Sequence, residues 1–491
     1  MFDPRPAVSE KDMKPASFSP GLLPGNGPKE YCGIFGIYGH AEAARLTYFG
    51  LYALQHRGQE SCGIVSGDSH QVRQHRGLGL VPEVFHQDIL DKLAGHLAIG
   101  HVRYSTTGST LAVNAQPFVV HHGGETLAIG HNGNLVNALE LRHRLEQEGS
   151  IFQSTMDTEV IVHLMARHLS RGLVEALTAA LTQVRGAYAL VLATKDKVIG
   201  VRDPYGFRPL CLGQLNSALV LASETCALDL VQAEYLRDVE PGEIVVLDDN
   251  GLTSYKTLPP APRKFCIFEF IYFARPDSRI YGANVYQIRK RLGAQLAQEH
   301  PVAADLAMPF PDSGTYAALG YAERLGVPFE MGVIRNHYVG RTFIQPSQSM
   351  RDFAVRVKLN PVREVLQGRR IVVVEDSIIR GTTSRTRVKT LRQVGATEVS
   401  MVVSCPPTRF PCYYGIDFSS KGELAAAHKS VEEIRDYLGL DYLGYLSLEG
   451  MVAATQMEPD TFCLACFTGD YPVKLVGTFS KTCFESCVTQ R

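Results

Sequence analysis

The segment from Ile371 to Ser384 combines an apolar run with acidic and hydroxyl side chains. Its four branched apolar residues predict a strand buried on both faces, so that Glu375 and Asp376 emerge at the carboxyl end, where open α/β sheets bind ligands. The loop Arg380-Gly381-Thr382-Thr383 then offers backbone N–H groups and hydroxyls to a phosphate. These residue types suit a ribose that carries phosphates. No Gly-Lys-Ser/Thr follows the glycine, so the segment is not a Walker P-loop.

A second chemical feature is Cys32, which begins an abrupt apolar run. Residues 1–31 hold six prolines and little apolar periodicity, whereas residues 32–39 predict a strand. A cysteine at the first position of a fold can use its own α-amino group, which titrates near ~7.7 to 8.0, as the base for its thiol. This chemistry requires removal of residues 1–31 as a leader. Taken alone, Cys32 fits equally well a buried strand cysteine that follows an unfolded tail.

Four polar motifs follow Cys32 in order: QHRGQ at 55–59, GHVRYSTTG at 100–108, HNGNL at 131–135 and MDTE at 156–159. Together with Cys32 they resemble the glutaminase domain of class II, N-terminal-nucleophile amidotransferases. With the segment at 371–384, the match narrows to the amidophosphoribosyltransferases and covers residues 32 to about 471. The resemblance implies that ammonia released from glutamine displaces pyrophosphate from phosphoribosyl pyrophosphate (PRPP). The product would be phosphoribosylamine, in the first committed step of purine synthesis.

Each motif supplies a group that this reaction needs. Glutamine carries a carboxylate and an ammonium, which Arg103 and Asp157 respectively can bind. Arg57 either assists them or braces the nucleophile loop. Attack by the thiolate on the side-chain amide creates an oxyanion, which the Asn132 amide and the Gly133 backbone N–H are suited to stabilise, at ~3 to 4 kcal/mol per donor. Singly, such residues more often have structural roles: a surface ion pair for Arg103, a helix N-cap for Asp157 and a turn for Asn132-Gly133. Their occurrence as an ordered set favours catalysis.

Three histidines, His56, His101 and His131, lie within these motifs beside an Arg or an Asn. None has an HxxxH or CxxC partner nearby, so structural roles are favoured over a metal site.

The second half of the chain has a different pattern. Helices such as 284–299 and 313–325 alternate with short apolar strands at 331–334, 371–374 and 399–404, which predicts a doubly wound parallel sheet. For the first half, the resemblance implies a four-layer αββα fold. The expected class is therefore α/β with an α+β N-terminal part. The expected domains are a leader (1–31), a glutaminase domain (32–260) and a phosphoribosyltransferase domain with a C-terminal helical extension (261–491).

The resemblance also assigns the acceptor site. A magnesium ion would be held by Ser313, Glu375 and Asp376, acting through ribose hydroxyls and water. Relatives generally carry two aspartates, so Glu375 is a departure from the family pattern. Residues 336–358 match a loop that closes over PRPP, excludes water and completes an apolar passage for ammonia, although a solvated connection is the plainer alternative. The residues expected to bind PRPP are Ser377, Arg380, Gly381, Thr382, Thr383 and Arg341.

Eleven cysteines in a chain of this size suggest metal binding or catalysis if the compartment is reducing. Cys463 and Cys466 have the CxxC spacing that lets two thiolates reach one metal, and Cys266 and Cys412 would complete a four-sulfur site. From the residues alone, zinc and a [4Fe-4S] cluster fit equally. The resemblance to cluster-bearing relatives favours a structural [4Fe-4S] cluster that pins the C-terminal segment. Rival ligands are Cys405, Cys483 and Cys487, while Cys62, Cys211 and Cys226 are expected to be buried bystanders.

Composition limits the remaining possibilities. The chain has 491 residues, 45% of them hydrophobic, and a formal net charge of −1, which indicates a globular protein of two or more domains without a nucleic-acid surface. No apolar run approaches the ~18 residues of a membrane span, and residues 1–31 lack a signal-peptide core. A cytoplasmic enzyme is expected, and relatives imply a homo-tetramer or homo-dimer inhibited by purine nucleotides. The alternatives are a class II amidotransferase with another acceptor and a non-catalytic PRPP or nucleotide sensor.

Overall fold

The structure, a computed structural model, describes most of the chain after the expected leader. The described residues are 32–68, 70–104, 111–336, 359–418 and 420–474. The expected leader, residues 337–358 of the expected closing loop with Arg341, and the rival ligands Cys483 and Cys487 lie outside them. The part of the expected helical extension beyond residue 474 also lies outside.

Strands and helices follow one another closely along the described chain. The strands are β1 (Gly33–Tyr38), β2 (Ser61–Gly67), β3 (Val72–Leu78), β4 (Leu97–Arg103), β5 (Phe118–His122), β6 (Glu125–Leu135), β7 (Gly186–Ala193), β8 (Val198–Arg202), β9 (Cys211–Leu215), β10 (Ala218–Ala222), β11 (Glu234–Asp238), β12 (Ile244–Asp248), β13 (Gly251–Tyr255), β14 (Phe265–Cys266), β15 (Arg279–Ile280), β16 (Ala283–Asn284), β17 (Leu306–Pro309), β18 (Val333–Arg335), β19 (Leu359–Pro361), β20 (Arg370–Glu375), β21 (Glu398–Val403), β22 (Tyr442–Tyr445) and β23 (Phe462–Cys463). The α-helices are Ala43–Ala53, Val81–Val84, Gln87–Lys92, Ala138–Gln147, Thr158–Ala166, Leu173–Leu181, Thr225–Leu230, Val285–Glu299, Thr315–Leu325, Arg363–Leu366, Thr382–Gln393, Val431–Leu438, Leu448–Thr455 and Ala465–Thr468. A π-helical turn spans Glu269–Phe273.

Two antiparallel sheets form the first half of the chain. One has seven strands in the order β11-β9-β10-β1-β4-β2-β3, and the other has six in the order β13-β12-β8-β7-β6-β5. Ile34, Val191 and Val245 belong to the apolar core between the sheets. Separate cores join the outer faces to helices, including Ala43–Ala53 on one sheet and Thr158–Ala166 on the other. The four-layer αββα fold expected from the sequence is confirmed.

Strand β1 lies inside the seven-stranded sheet because its side chains are apolar on both faces. Ile34 and Tyr38 point into the core between the sheets, while Phe35 and Ile37 pack under the covering helices. Alternate residues of a strand face opposite sides, so this run can be buried on both. Because both faces of β1 are buried, the strand holds Cys32, the residue directly before it, in a defined position.

The second half contains a four-stranded parallel sheet in the order β17-β20-β21-β22, as expected for this part of the chain. The run at 331–334 was expected in this sheet, and that expectation is wrong. Strand β18 instead pairs antiparallel with β19 in a separate two-stranded ribbon. Val333 is buried, but Ile334 and Arg335 are exposed, and a strand of a covered parallel sheet requires burial on both faces.

A short strand pair ties the C-terminal segment to the start of the second half. Strands β14 and β23 are parallel and place Cys266 opposite Cys463. The expected domain boundary near residue 260 falls between β13 and β14 and stays a prediction. Within the described ranges, every helix is too short or too polar to cross a membrane.

Candidate active site

The first candidate site surrounds the thiol of Cys32. This side chain is buried, and its Sγ lies 3.5 Å from the main-chain oxygen of Tyr104, to which the thiol donates. Burial raises the pKa of Cys32 to about 11. At neutral pH the group is a thiol, and it needs a base before it can act as a nucleophile.

A cation and an anion lie close to this thiol. Arg103, at the end of β4, and Asp157, directly before the helix Thr158–Ala166, are both buried and both act electrostatically on Cys32. Burial lowers the pKa of Arg103, and the negative charges nearby offset part of this effect. Burial opposes ionisation of Asp157, but His131 and several hydrogen bonds outweigh it and place the pKa below its ordinary value. The pair can bind the two charges of a free amino acid.

Strand β6 supplies two further groups near Asp157, whose Oδ2 accepts from the backbone N–H of Leu135 on the same strand at 2.9 Å. Asn132 has no exposed surface, and both polar atoms of its amide lack a hydrogen-bond partner among the described residues. Gly133 has φ +151°, and an added Cβ would lie 2.0 Å from the main-chain oxygen of Ala187. Buried polar groups normally have partners, so an uncommitted amide is a donor kept for a ligand. The arrangement suits an oxyanion.

The three motif histidines contact protein groups. Nε2 of His101 lies 3.0 Å from the main-chain oxygen of His131, and Nδ1 of His131 lies 3.1 Å from Oγ1 of Thr158. Burial lowers the pKa of His101 to about 3, so this imidazole is neutral. His56 pairs through Nε2 with Glu224 at 2.8 Å. These contacts fit the structural roles expected of the three residues.

Arg57 was expected either to assist glutamine binding or to brace the nucleophile loop, and its contacts fit the second role. Its Nε donates to the main-chain oxygen of Cys32 at 3.1 Å. The two terminal nitrogens bond to the carboxylates of Glu224 and Glu269. All three nitrogens are thus bonded to protein groups, and the guanidinium has no exposed surface with which to contact a substrate.

A second candidate site is a cavity of about 510 Å³ at the carboxyl end of β20. Several predicted residues line it: Ser313, Glu375, Asp376, Ser377 and Thr383. Arg380, Gly381 and Thr382 are not among the described lining residues. The Arg380 guanidinium instead pairs with Glu423 at 3.0 Å, and Gly381, with φ +75°, caps the start of the helix Thr382–Gln393.

The two acids of this cavity that follow β20, Glu375 and Asp376, are both buried. Burial and the neighbouring Asp376 raise the pKa of Glu375 well above its ordinary value, although Arg387 lies 3.3 Å from its Oε2 and acts in the opposite direction. Asp376 accepts a hydrogen bond from the Ser377 hydroxyl at 2.6 Å. With the Ser313 hydroxyl, the site offers the oxygen ligands that Mg²⁺ prefers.

None of the basic residues that line the described part of this cavity was expected there from the sequence. Helical spacing contained a signal for one of them, because Thr383, Ser384 and Arg387 share a face of their helix and all line the cavity. The others come from separate segments and had no such signal. The missed basic residues are His56, Arg275, Arg289, Arg335 and Arg387.

The four predicted sulfur ligands line one small cavity: Cys266, Cys412, Cys463 and Cys466. Burial raises the pKa of Cys266 to about 11, and the guanidinium of Arg208 acts in the opposite direction. The backbone N–H of Tyr414 donates to Sγ of Cys412 at 3.4 Å. Rival Cys405 is buried but does not line this cavity. Within the described residues, no three His, Cys, Asp or Glu side chains are grouped to hold a single metal ion.

Comparisons with known proteins agree with this geometry. A family model described as a glutamine amidotransferase domain matches residues 101–230. Amidophosphoribosyltransferase 2 of Arabidopsis thaliana, described as chloroplastic, is 52% identical over 449 residues, covering 91% of this chain and 80% of the relative. The amidophosphoribosyltransferase of Bacillus subtilis is 50% identical over 454 residues, covering 91% and 95%.

Solved structures give the same result. Glutamine PRPP amidotransferase from B. subtilis, complexed with ADP and GMP, superposes with a TM-score of 0.86 at 49% identity and covers 91% of this chain and 98% of that one. A structure described as the allosteric regulatory enzyme of purine biosynthesis gives a TM-score of 0.87 at 49% identity, covering 91% and 97%.

Proposed function

The chain belongs to the amidophosphoribosyltransferase family, and from this premise we propose that its two sites divide the reaction, with glutamine hydrolysed at Cys32 and the ammonia transferred to PRPP at the cavity beside β20. The observation that carries the proposal is a buried thiol with a cation and an anion close to it, in a half of the chain that also holds the uncommitted amide of Asn132. A second site rich in carboxylates and hydroxyls lies in the same chain. A different acceptor would leave that second site without a function, and a non-catalytic sensor would have no use for the first.

In the glutamine step, Arg103 binds the substrate carboxylate and Asp157 binds its ammonium. The Cys32 thiol passes its proton to the α-amino group that removal of residues 1–31 would expose, since the buried thiol does not ionise unaided. Sulfur attacks the side-chain amide carbon, and the developing oxyanion accepts hydrogen bonds from Asn132 and from the N–H of Gly133. The amide nitrogen takes the proton back from the α-ammonium group and leaves as ammonia, and water then hydrolyses the thioester to release glutamate and the thiol.

In the acceptor step, Ser313, Glu375 and Asp376 would hold Mg²⁺, which neutralises charge on the pyrophosphate when bound. The hydroxyls of Ser377 and Thr383 line the same cavity and can bind phosphate oxygens. The predicted contributions of Arg380, Gly381, Thr382 and Arg341 to PRPP binding stay predictions. Ammonia attacks the anomeric carbon, the bond to the pyrophosphate oxygen breaks, and phosphoribosylamine results.

For the four cysteines, we propose a structural [4Fe-4S] cluster, held by Cys266, Cys412, Cys463 and Cys466. Four sulfurs around one buried cavity support a site of this chemistry. The cluster would join the β14–β23 pair to the loop at Cys412 and would supply no redox step to the reaction. Zinc is the alternative that metal analysis must exclude.

Regulation and assembly extend the proposal. The B. subtilis relative is described in complex with ADP and GMP, which supports purine nucleotides as regulators of this enzyme as well. Assembly as a homo-tetramer or homo-dimer and a cytoplasmic location stay predictions.

The test compares protein starting at Cys32 with full-length protein. We expect the first to form pyrophosphate from glutamine, PRPP and Mg²⁺, and the second to use only added ammonium. Cys32→Ala in the shortened protein should keep ammonium-dependent synthesis and lose glutamine-dependent synthesis. Glutamine-dependent synthesis by the Cys32→Ala variant, or by protein whose intact mass shows residues 1–31 still attached, would contradict the proposed mechanism.

A further inference from the structure

The carboxylate of Glu224 lies between the two sites and is fully buried. Its Oε1 accepts hydrogen bonds from Nε2 of His56, at 2.8 Å, and from Nη1 of Arg57. Its Oε2 accepts from the backbone N–H of Arg275, at 2.8 Å, and from the hydroxyl of Ser278, at 2.7 Å. Oε1 therefore bonds to the glutaminase half, whereas Oε2 bonds to two groups of the phosphoribosyltransferase half and also accepts from the Cys226 thiol at 3.8 Å.

On the glutaminase side, Glu224 acts on the nucleophile through one intermediate. Arg57, bonded to Oε1, donates from Nε to the main-chain oxygen of Cys32 at 3.1 Å. The neighbouring Ser223 exchanges two hydrogen bonds of 3.0 Å with the backbone of Ile34, two residues after the nucleophile. A displacement of this segment is therefore transmitted to the position of Cys32.

On the acceptor side, one of the residues bonded to Oε2, Arg275, belongs to the cavity wall. Arg275 lines the cavity together with Ala274, Pro276 and His56. A phosphorylated ligand that contacts this wall would act on the backbone N–H of Arg275 and hence on Glu224. His56 gives a second contact of the same kind, because it lines the cavity and binds Oε1.

The charges around Glu224 favour its ionised form. Burial opposes ionisation, but His56 and Arg57 outweigh it and hold the pKa of this carboxyl below its usual range. Arg57 is held on its other side by Glu269, with contacts of 2.9 and 2.7 Å. The hydrogen bonds that run from Arg275 through Glu224 to Arg57 thus form a continuous link between the two sites. They are charge-assisted, and such bonds are stronger than neutral ones.

We propose that Glu224 is a positioning residue for the glutamine reaction, linking occupancy of the acceptor cavity to the placement of Cys32 through Arg57. The proposal rests on the function proposed above. Ligand binding at the wall formed by residues 274–276 would then change the rate at which Cys32 attacks glutamine.

The test uses Glu224→Gln in protein that starts at Cys32. Glutamine keeps the size of the side chain but replaces one oxygen with an NH₂ group. Whichever way the amide turns, this group faces a donor that cannot accept, either Nη1 of Arg57 or the backbone N–H of Arg275, so one side of the link is broken. The matched control is Glu243→Gln, which also replaces a buried carboxylate. Glu243 is bonded to Arg237 at 2.8 Å and does not line the acceptor cavity.

Three quantities are measured for each variant: thermal stability, ammonium-dependent synthesis, and kcat and KM for glutamine hydrolysis with and without PRPP. We expect Glu224→Gln to keep ammonium-dependent synthesis within about twofold and to lower glutaminase kcat in the presence of PRPP about tenfold. The ratio of the rates with and without PRPP should fall to near unity. Glu243→Gln should lower stability and leave this ratio at the wild-type value.

An unchanged ratio in a folded Glu224→Gln variant, or a wild-type ratio of one, would overturn the proposal. If Glu224→Gln does not fold, Ser278→Ala decides, because it removes one Oε2 contact and keeps the carboxylate. A reduced ratio in Ser278→Ala supports the link, and a wild-type ratio overturns it. Absence of ammonium-dependent synthesis in the wild type would instead contradict the proposed function.

Discussion

Replacing Asn132 with alanine separates catalysis from stability in this enzyme. The amide has no exposed surface and no partner among the described residues, so Asn132→Ala breaks no side-chain hydrogen bond in that part of the chain. Removing a buried polar group without a partner is close to neutral for folding. The same change removes a donor to the oxyanion, which is worth ~3 to 4 kcal/mol, or about 10²- to 10³-fold in kcat. We therefore expect an unchanged melting temperature and a glutaminase kcat lowered by that factor.

Asn137→Ala is the matched control. Its amide donates to the main-chain oxygen of Gln183 at 2.9 Å and accepts from the N–H of Arg185 at 2.8 Å. Loss of both bonds should cost about 1 to 3 kcal/mol of unfolding free energy and leave kcat per folded enzyme unchanged. Calorimetry and a glutamate-release assay measure the two effects. If Asn132→Ala keeps its kcat, or loses stability as Asn137→Ala does, the oxyanion role of Asn132 is refuted.

Three further predictions test the charges, the cysteine site and the packing. Burial lowers the pKa of His101 to about 3, whereas the pKa of an unfolded histidine is near ~6.5. Between these two pH values, only the unfolded state takes up the proton. Stability should be fully present above pH ~6.5 and fall by up to ~1.4 kcal/mol per pH unit below it, and urea unfolding of His101→Gln at several pH values should show a weaker fall. Cys463→Ser should reduce bound iron and sulfide while Cys62→Ser does not, and equal metal content in both would argue against the ligand set. Gly293→Ala places a Cβ 1.8 Å from the main-chain oxygen of Ala317 and should lower the melting temperature, whereas Gly422→Ala, with open space around it, should leave the temperature unchanged.

The residues of the glutamine site could be predicted because each lies in a short motif with its own chemistry. Cys32, Arg103, Asn132 and Asp157 come from different segments, yet the αββα fold brings them together. Strand pairing does this directly, since β1 and β4 are neighbours in one sheet and place Cys32 beside the end of β4. The order of the motifs was sufficient to predict these site residues because the motifs lie on or next to strands of the two sheets.

The buried charges between the two halves could not be predicted in the same way. Arg57 is 167 residues from Glu224 and 212 residues from Glu269 along the chain. No periodicity connects partners at such separations. Only the packing of the two halves reveals that Arg57 binds protein carboxylates.

Short segments gave the other differences. The run at 331–334 is apolar, but three or four residues cannot distinguish a strand of a covered sheet from a ribbon with one exposed face. In the phosphate loop, residue type predicts that Arg380 binds PRPP, and this stays a prediction. The structure shows a contact that the local sequence did not indicate, the ion pair of the Arg380 guanidinium with Glu423. The direction of a long side chain depends on neighbours that the local sequence does not show.

The central claim, that nitrogen released at Cys32 is captured at the cavity beside β20, can be tested with glutamine labelled with ¹⁵N in its amide. Processed enzyme is incubated with this glutamine, PRPP and Mg²⁺, and glutamate, pyrophosphate and labelled phosphoribosylamine are quantified together. Equal amounts of all three are predicted, with the label retained even when unlabelled ammonium is added. Glutamate and free labelled ammonia formed without pyrophosphate would contradict the claim.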